Sequence, residues 1–345
     1  FSLLAVSAVI LFAAGVFAFT HDSIVTITPT KVPNASSVDF NAHVEWISGP
    51  DPIHEFRIYQ PLEFSDLDCD VASGWYDPFY AFTTINGIEY FYCQWNAKSG
   101  NQLNEGNPEK DFSFSLDTAE TESCRDLYLE TRDDDGTYVP HKPQICVDTS
   151  SPETEKNFIG PYKMENGVEW IDGITEIELI ATDPEPHPAG INKTYYKLNG
   201  PVEDSYCYNE CDGWQTSSPN DGGWNEYSEP LGDIDESCHV LEFYSTDLVG
   251  NVEGVNTNCF FVDKTPPIIT KEVGEPKILI DPNCNPDQQS CDYYVSSQTS
   301  IKLACEDQEP HPSDDVTIYW RYRVDNEGDG FDNDEWADDS ENAGE

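Results

Sequence analysis

Carboxylates recur with one histidine in a turn-like motif, and this pattern is the part of the chain best suited to chemistry. Residues 185–188 read Glu-Pro-His-Pro, residues 309–312 repeat them, and an aspartate stands two residues before each copy. Hard carboxylate oxygens gathered in turns are ligands that Ca²⁺ prefers. We therefore predict calcium ligands in these turns and at unit ends, with solvated turn carboxylates as the alternative: Asp183, Glu185, Asp247, Glu253, Asp263, Asp307 and Glu309.

Two other metal motifs are rejected. Residues 325–330 begin like an EF-hand loop, but the twelfth position is Trp336, where that loop needs glutamate. Cys207 and Cys211 have zinc-like spacing, but no second cysteine or histidine pair stands at finger spacing. Calcium is therefore the only cofactor that the sequence predicts.

Catalytic motifs are missing from the sequence. It contains no Gly-x-Ser-x-Gly, no His-Glu-x-x-His, no phosphate-binding glycine loop and no dinucleotide fingerprint. His187 and His311 lie between prolines, which favours turn residues packed on a sheet edge over ligands or catalytic groups. The sequence therefore predicts a chain that is not an enzyme.

Eleven cysteines indicate an extracellular protein, because intracellular thiols stay reduced. Two pairs, Cys124 with Cys146 and Cys238 with Cys259, bracket the same Asp-x-x-Gly turn and are expected to form disulfides. The simplest remaining pairs are Cys69–Cys93, Cys207–Cys211 and Cys284–Cys291, although spacing alone leaves the connectivity open. Cys305 is left over, and its partner is expected in a missing part of the third unit.

The elements that must position these groups are repeated as well. Residues 177–197 match residues 301–321 at a constant spacing of 124 residues. Residues 124–136 match residues 238–250 at a spacing of 114 residues. Near copies at fixed spacing indicate self-contained units joined end to end. We predict a signal peptide or membrane anchor at 1–18, a divergent unit at 19–148, a second unit at 149–263 and an incomplete third unit at 264–345.

Each unit is predicted to be all-β. Short runs rich in β-branched and aromatic residues alternate with clusters of Gly, Pro, Asn and Asp. No long stretch beyond residue 20 has helical periodicity, and the first two units have the size of one β-sandwich.

The second unit resembles the tandem Ig-like modules of bacterial and archaeal surface proteins. The resemblance is carried by residues 177–179, the turn 181–190, Tyr195-Tyr196, Trp224-x-x-Tyr227 and residues 238–253. It extends partly into the third unit and to the last strands of the first. It implies extracellular, non-catalytic repeats acting as stalks, envelope components or adhesins, with Tyr and Trp in strands and core.

The first eighteen residues are uncharged and almost wholly apolar. This is typical of a cleaved signal peptide, and the run is also long enough for a membrane anchor. A third interpretation is a pilin-like filament subunit that assembles through residues 1–20, although position 5 is Ala where pilins usually carry Glu. All three place the protein at the cell surface or outside the cell.

The net charge of −49 limits the partners. It excludes nucleic acid and direct binding to anionic lipid heads, so a membrane is reached only through the amino-terminal segment. Such acidity favours a saline medium or bound cations. Other surface proteins and glycans remain as predicted partners.

Two tryptophans lie in loops that could bind glycans. Trp75 and Trp214 are flanked by tyrosines and polar residues, a mixture that can stack on a sugar ring. The alternative function is thus an array of carbohydrate-binding modules attached to a missing enzyme domain. In the simpler interpretation these rings cover the open ends of the sandwiches. Asn34 and Asn192 begin glycosylation sequons.

Overall fold

The computed structural model describes residues 21–285, 291–309, 316–321 and 343–344. Expectations about residues 1–18, His311 and Trp336 fall outside these ranges. Within them the chain is almost entirely β, with one short helix, which confirms the all-β prediction.

Residues 21–148 contain strands β1 (Asp22–Thr28), β2 (Lys31–Pro33), β3 (Ser37–Ser48), β4 (Glu55–Tyr59), β5 (Ser65–Cys69), β6 (Phe79–Ile85), β7 (Ile88–Asn96), β8 (Glu109–Asp117), β9 (Ser123–Asp126), β10 (Leu129–Arg132), β11 (Tyr138–His141) and β12 (Gln144–Asp148). Residues 149–263 contain β13 (Glu153–Ile159), β14 (Tyr162–Glu165), β15 (Val168–Asp172), β16 (Glu176–Thr182), β17 (Ile191–Val202), α1 (Asp204–Tyr208), β18 (Asn225–Glu226), β19 (Ser237–Asp247) and β20 (Asn256–Asp263). The remaining strands are β21 (Ile268–Val273), β22 (Lys277–Leu279), β23 (Tyr293–Val295), β24 (Ile301–Glu306), β25 (Trp320–Arg321) and β26 (Ala343–Gly344).

The strands of residues 21–148 form a β-sandwich. One layer has the order β1-β3-β8-β5 and the other the order β11-β10-β4-β7-β6, while β2-β12-β9 form a smaller third sheet. Successive side chains of a strand point to opposite faces, so alternate residues of both layers meet in one core. Its largest fully buried side chains are Trp75, Trp95, Phe56, Phe112 and Phe114. Burying one such side chain contributes about 1.5–3 kcal/mol.

A disulfide between the layers gives this sandwich an Ig-like organisation. Cys69 in β5 bonds Cys93 in β7 across a Cα–Cα distance of 6.6 Å. Trp95 lies two residues further along β7, and its ring centroid is 5.0 Å from that of Phe112. An inter-sheet disulfide beside a buried tryptophan is a hallmark of Ig domains. The predicted Ig-like fold is confirmed here, together with the Cys69–Cys93 bond.

Residues 149–263 are built on a six-stranded sheet in the order β14-β15-β20-β19-β17-β18. The central strand β19 is buried at ten of its eleven positions, because side chains cover the sheet on both faces. One face packs around Leu241, Phe243 and Phe260. The other packs around Trp170 and Phe261, whose rings stack with centroids 4.4 Å apart.

Two disulfides fasten α1 and the turn after it to this second face, and they correct two predicted pairings. Cys207 in α1 bonds Cys238 in β19, and Cys211 bonds Cys259 in β20. The sequence predicted Cys207–Cys211 and Cys238–Cys259 instead. Cys207 lies in α1, and Cys211 lies in the turn that follows it, with φ +66°. Both cysteines bond to the sheet, where β19 and β20 are paired neighbours.

The other predicted disulfides are present. Cys124 bonds Cys146 at directly opposed positions of β9 and β12, and Cys284 bonds Cys291 seven residues away. Cys305 in β24 carries a free thiol. Beyond residue 264 the described strands form the two-stranded sheets β21-β24, β22-β23 and β25-β26.

The described chain divides into two compact units, each made of several segments. The boundaries at residues 148 and 263 stay a prediction. The first unit contains the described residues up to Thr154 together with the turns Ala181–Thr194 and Ser245–Glu253. The second contains Glu155–Ile180, Tyr195–Tyr244 and the described residues from Gly254 onward. Among the described residues no helix is long and apolar enough to cross a membrane.

Candidate metal centre

Three aspartates at three strand ends converge in the first unit. Asp148 is the last residue of β12, Asp183 directly follows β16, and Asp247 is the last residue of β19. One carboxylate oxygen from each lies within 4.8 Å of the other two. Asp148 and Asp247 are almost fully buried, at 0% and 1% exposure. Because the three strands end close together, the three aspartate side chains at their ends point towards one another and gather their carboxylate oxygens in a small space.

Backbone amides hold each carboxylate in place. The Oδ1 atom of Asp247 accepts hydrogen bonds from the N–H groups of Val249, Gly250 and Asn251, at 3.0, 2.6 and 2.8 Å. Gly250 has φ +97°, a backbone conformation that favours glycine. The turn therefore fixes the Asp247 carboxylate before any ligand binds.

The other two carboxylates are fixed in the same way. The amide of Ala189 donates to Oδ2 of Asp148 at 2.7 Å, and the amide of Gly190 donates to Oδ2 of Asp183 at 2.6 Å. The side-chain amide of Asn251 adds a link by donating to the carbonyl oxygen of Asp148 at 3.3 Å. Neighbouring amides of the turn 181–194 thus join two of the three aspartates.

One oxygen of the cluster is left without a donor. Oδ1 of Asp183 is buried and accepts no hydrogen bond from any described residue. Desolvation, followed by repulsion from Asp148 and Asp247, raises the pKa of Asp183 above its ordinary value of 3.8, and the Gly190 amide only partly opposes this. A buried polar atom without a partner is costly. The site therefore favours a positive charge, either a bound cation or a proton.

Two of these positions recur further along the chain. The pair Val147-Asp148 recurs as Val262-Asp263, and Asp307 repeats Asp183 in the match with a spacing of 124 residues. In the second unit Asp263 and Asp307 line one cavity of about 480 Å³. Lys264 also lines it, so a cationic side chain already supplies positive charge there. Asp172 lines this cavity as well. The first cluster, whose three carboxylate oxygens lie within 4.8 Å of one another, has the greater need of a cation.

The remaining predicted ligands have other surroundings. Glu253 is buried and accepts hydrogen bonds from the amide and hydroxyl of Thr154 and from the amide of Ser245, at 2.8, 2.5 and 2.9 Å. Glu185 and Glu309 are exposed. The three-aspartate cluster thus contains two of the seven predicted ligands, Asp183 and Asp247, together with Asp148, while Asp263 and Asp307 share the second cavity.

Asp148 was not among the predicted ligands, because in the sequence it marks only the boundary of the first unit. The signal was present, since the Val-Asp pair recurs as Val262-Asp263 at the next joint. Proximity in space could not be read from one sequence, because Asp148 and Asp247 are far apart along the chain.

A second titratable group lies beside the Cys124–Cys146 disulfide. Nδ1 of His187 is 3.3 Å from Sγ of Cys124. Both sulfurs are already in a covalent bond, so they are not available as thiolate ligands. His187 is half-buried and packs in its turn, as expected for a histidine between two prolines.

The two tryptophans proposed for glycan binding are placed differently. Trp75 is 1% exposed and lies in the core, so its ring is not at an open end of the sandwich. Trp214 is half-buried and lies edge-on to Tyr206, with centroids 5.2 Å apart. The buried Trp75 ring therefore has no open face for stacking on a sugar, and the Trp214 ring is only partly accessible. Asn34 and Asn192, the sequon residues, are exposed.

Among the aromatic positions of the Ig-like resemblance, Tyr195 and Tyr196 lie in β17, whereas Trp224 and Tyr227 flank β18. Tyr195 in β17 stacks on Tyr244 in β19 at 5.1 Å, and Tyr196 lies edge-on to Tyr227 at 6.4 Å. Trp224 lies edge-on to Tyr244 at 4.7 Å. These rings serve packing on the sheet.

No protein-family model and no curated protein matches the chain. Among solved structures, a Nocardia farcinica protein with an immunoglobulin-like fold is 14% identical with a TM-score of 0.28, covering 38% of this chain and 97% of its own. Fibronectin(III)-like modules of Clostridium thermocellum CbhA are 10% identical with a TM-score of 0.29, covering 70% and 95%. A cohesin module from a Clostridium perfringens family 33 glycoside hydrolase is 13% identical with a TM-score of 0.27, covering 38% and 98%. At these values the similarities support no inference about activity or partners.

Proposed function

We propose that the chain is a non-catalytic, exported surface protein whose Ig-like modules serve as a stalk or envelope component, with Ca²⁺ bound by Asp148, Asp183 and Asp247. The ion would fix the turns Ala181–Thr194 and Ser245–Glu253 to the end of β12. The observation that carries the proposal is the convergence of three carboxylate oxygens within 4.8 Å, two of them on almost fully buried aspartates.

Calcium suits this site better than other biological cations. All the converging atoms are carboxylate oxygens, which are hard ligands. Thiolates are excluded, because the cysteines of the first unit are paired in disulfides. Ca²⁺ accepts irregular oxygen cages at 2.3–2.6 Å, whereas Mg²⁺ needs near-octahedral geometry and keeps its waters. Three oxygens no more than 4.8 Å apart have a common centre at most about 2.8 Å from each, so a slight closing of the cluster brings all three to the Ca²⁺–O distance.

An exported location is supported by the cysteines. Ten of the eleven are joined in five disulfides, which form and persist in oxidising compartments. The strong acidity also supports an exported location, because cations in the medium reduce the repulsion within a chain of charge −49. Extracellular calcium is abundant enough to fill sites with a dissociation constant on the order of 0.1–1 mM.

A non-catalytic role is supported by what the described residues bring together. The groups that could hold a metal are three aspartates held by backbone amides and one histidine beside a disulfide, and neither set pairs a nucleophile with a base. Ser23 Oγ does lie 3.0 Å from His141 Nε2, but Ser23 is only 7% exposed, so this pair serves the packing of the sandwich. A glycan-binding function has no supporting observation at Trp75 or Trp214, and the filament interpretation concerns residues outside the described ranges.

Calorimetric titration of CaCl₂ into the oxidised full chain tests the proposal. We expect one saturable, calcium-specific site at constant ionic strength, lost in Asp183→Asn. Glu185→Gln is the matched control, because it removes one charge from the same turn at an exposed position. Equal heats in both variants would mean that calcium is only condensed on the acidic surface, and the proposed site would be wrong.

A further inference from the structure

Strand β6 is an unprotected sheet edge. It is the last strand of the layer β11-β10-β4-β7-β6 and is paired only with β7. Its sequence is Phe-Tyr-Ala-Phe-Thr-Thr-Ile, without a charge, a proline or a glycine. Phe82 at its centre is 66% exposed, and Phe79 and Tyr80 are more than 40% exposed. Exposed, apolar edges of this length are sites of strand pairing with another chain.

The lack of charge on β6 stands out in so acidic a protein. Every other edge strand of five or more residues in the described ranges carries an acidic or basic residue: β1, β5, β13, β16, β21 and β24. Charges on edges are a common protection against edge-to-edge association. The chain protects its other long edges in this way and leaves β6 open.

The hairpin that joins β6 to β7 determines which backbone groups of β6 face outward. Asn86 and Gly87 form a two-residue turn with φ +52° and +81°, and Ile85 opposes Ile88. The residues flanking such a turn form a hydrogen-bonded pair, and hydrogen-bonded pairs then alternate along the hairpin. Phe79, Ala81, Thr83 and Ile85 therefore bond to β7. The N–H and C=O groups of Tyr80, Phe82 and Thr84 point away from the sheet.

We propose that β6 pairs antiparallel with β6 of a second copy of this chain, about a two-fold axis at Phe82. This register places Phe82 opposite Phe82 of the second copy, and Tyr80 opposite its Thr84. All three outward-facing residues then meet outward-facing residues, which allows six backbone hydrogen bonds. Aromatic and β-branched cross-strand pairs add to this.

The uncharged sequence of β6 is the reason for choosing a second copy as the occupant. Most described strands of this chain carry carboxylates, which would lie beside Asp68, itself hydrogen-bonded to the Tyr80 hydroxyl at 2.8 Å. A second β6 brings no charge to the interface. It also forms a closed two-fold contact, in which each copy offers the same surface. The inference does not depend on calcium binding.

Association is expected to depend on salt. Two chains of charge −49 repel each other at low ionic strength. At about 1 M salt the Debye length falls to about 3 Å, and this repulsion is screened. Dimers should therefore form at high salt and dissociate on dilution into low salt.

Sedimentation analysis of the full oxidised chain, in a Cys305→Ser background, tests the pairing. We expect a monomer–dimer equilibrium at high salt that Phe82→Lys weakens about tenfold or more, because two lysines would face each other on the axis. Ile24→Lys is the matched control: Ile24 is a 51% exposed apolar residue on the edge strand β1. It should leave the dimer unchanged.

Cysteine cross-linking tests the register directly. Hydrogen-bonded antiparallel pairs have Cα atoms about 5.5 Å apart, within disulfide range. Phe82→Cys should therefore form a covalent dimer under mild oxidation, and Thr84→Cys should not, because its counterpart is Tyr80. A monomer at all salt concentrations would refute the proposal. So would a dimer unaffected by Phe82→Lys, because association would then use another surface.

Discussion

Replacing Asp183 by asparagine should change the stability of the first unit in opposite directions with and without calcium. In chelator the substitution removes a carboxylate that repels two buried aspartates, so the unit should become more stable. In calcium the same substitution removes a ligand, so the stabilisation by the ion should shrink. Asparagine keeps an oxygen that can accept the Gly190 amide, which limits other changes.

The expected size follows from the geometry. Two unit charges 4.8 Å apart interact by about 3–4 kcal/mol at an effective dielectric constant of about 20. Amide donors and the solvent near half-buried Asp183 offset much of this, leaving about 1–2 kcal/mol. At about 2–4 °C per kcal/mol, the midpoint in chelator should rise by about 2–8 °C. Calcium at about 100 times its dissociation constant should stabilise the native protein by about 2.7 kcal/mol.

The pH dependence in chelator has a definite sign. The pKa of Asp183 is raised in the folded state, so its favourable contribution is complete below the unfolded value of 3.8. That contribution is lost as pH rises through the folded pKa. The benefit of Asp183→Asn should therefore appear only above this window.

Differential scanning calorimetry of the oxidised chain, at matched ionic strength, measures both effects. Glu185→Gln serves as the control, because it removes an equal charge from the same turn but is exposed. It should leave the response to calcium intact. If Asp183→Asn raised the midpoint equally in calcium and in chelator, the aspartates would share a proton instead of an ion. That result would refute the calcium assignment.

Two further predictions concern the first sandwich. Burial lowers the pKa of His141 from 6.5 to about 4. The stability that this histidine contributes is therefore complete above pH 6.5 and is lost as the pH falls towards 4, by about 3 kcal/mol in all. His141→Gln should reduce the fall of the urea unfolding midpoint between pH 6.5 and 4, and an unchanged fall would contradict this prediction. Trp75→Ala should cost about 3–5 kcal/mol in urea unfolding, since the ring is 1% exposed in the core. Trp214→Ala should cost less, because its ring is half-buried, and equal losses would contradict the placements.

The sequence predicted the fold class because its local signals agree. Alternating strands such as β8 bury every second residue, as the pattern of Phe112, Phe114 and Leu116 indicates. The turn Asp247–Asn251 was recognised from residue type alone, because Gly250 supplies its positive φ. Such features need only neighbours along the chain.

Features that depend on distant contacts were predicted poorly. Four cysteines allow three connectivities, and only the placement of α1 over β19 and β20 selects Cys207–Cys238 and Cys211–Cys259. Trp75 looked like a loop residue, but it packs edge-on to Phe112 in the core. The metal cluster needed Asp148, whose partners lie at the ends of β16 and β19, far along the chain from β12.

The two disulfides over the six-stranded sheet limit how far the chain can extend under tension. If its ends were pulled apart, the load would run along the backbone from Cys207 to Cys211 and then cross directly to Cys259 through the disulfide. The 48-residue separation spanned by that bond, about 160–170 Å of extended chain, could not be drawn out until sulfur bonds were broken. A reductant would release this length, so the redox state of the medium sets how far the molecule can stretch before it ruptures.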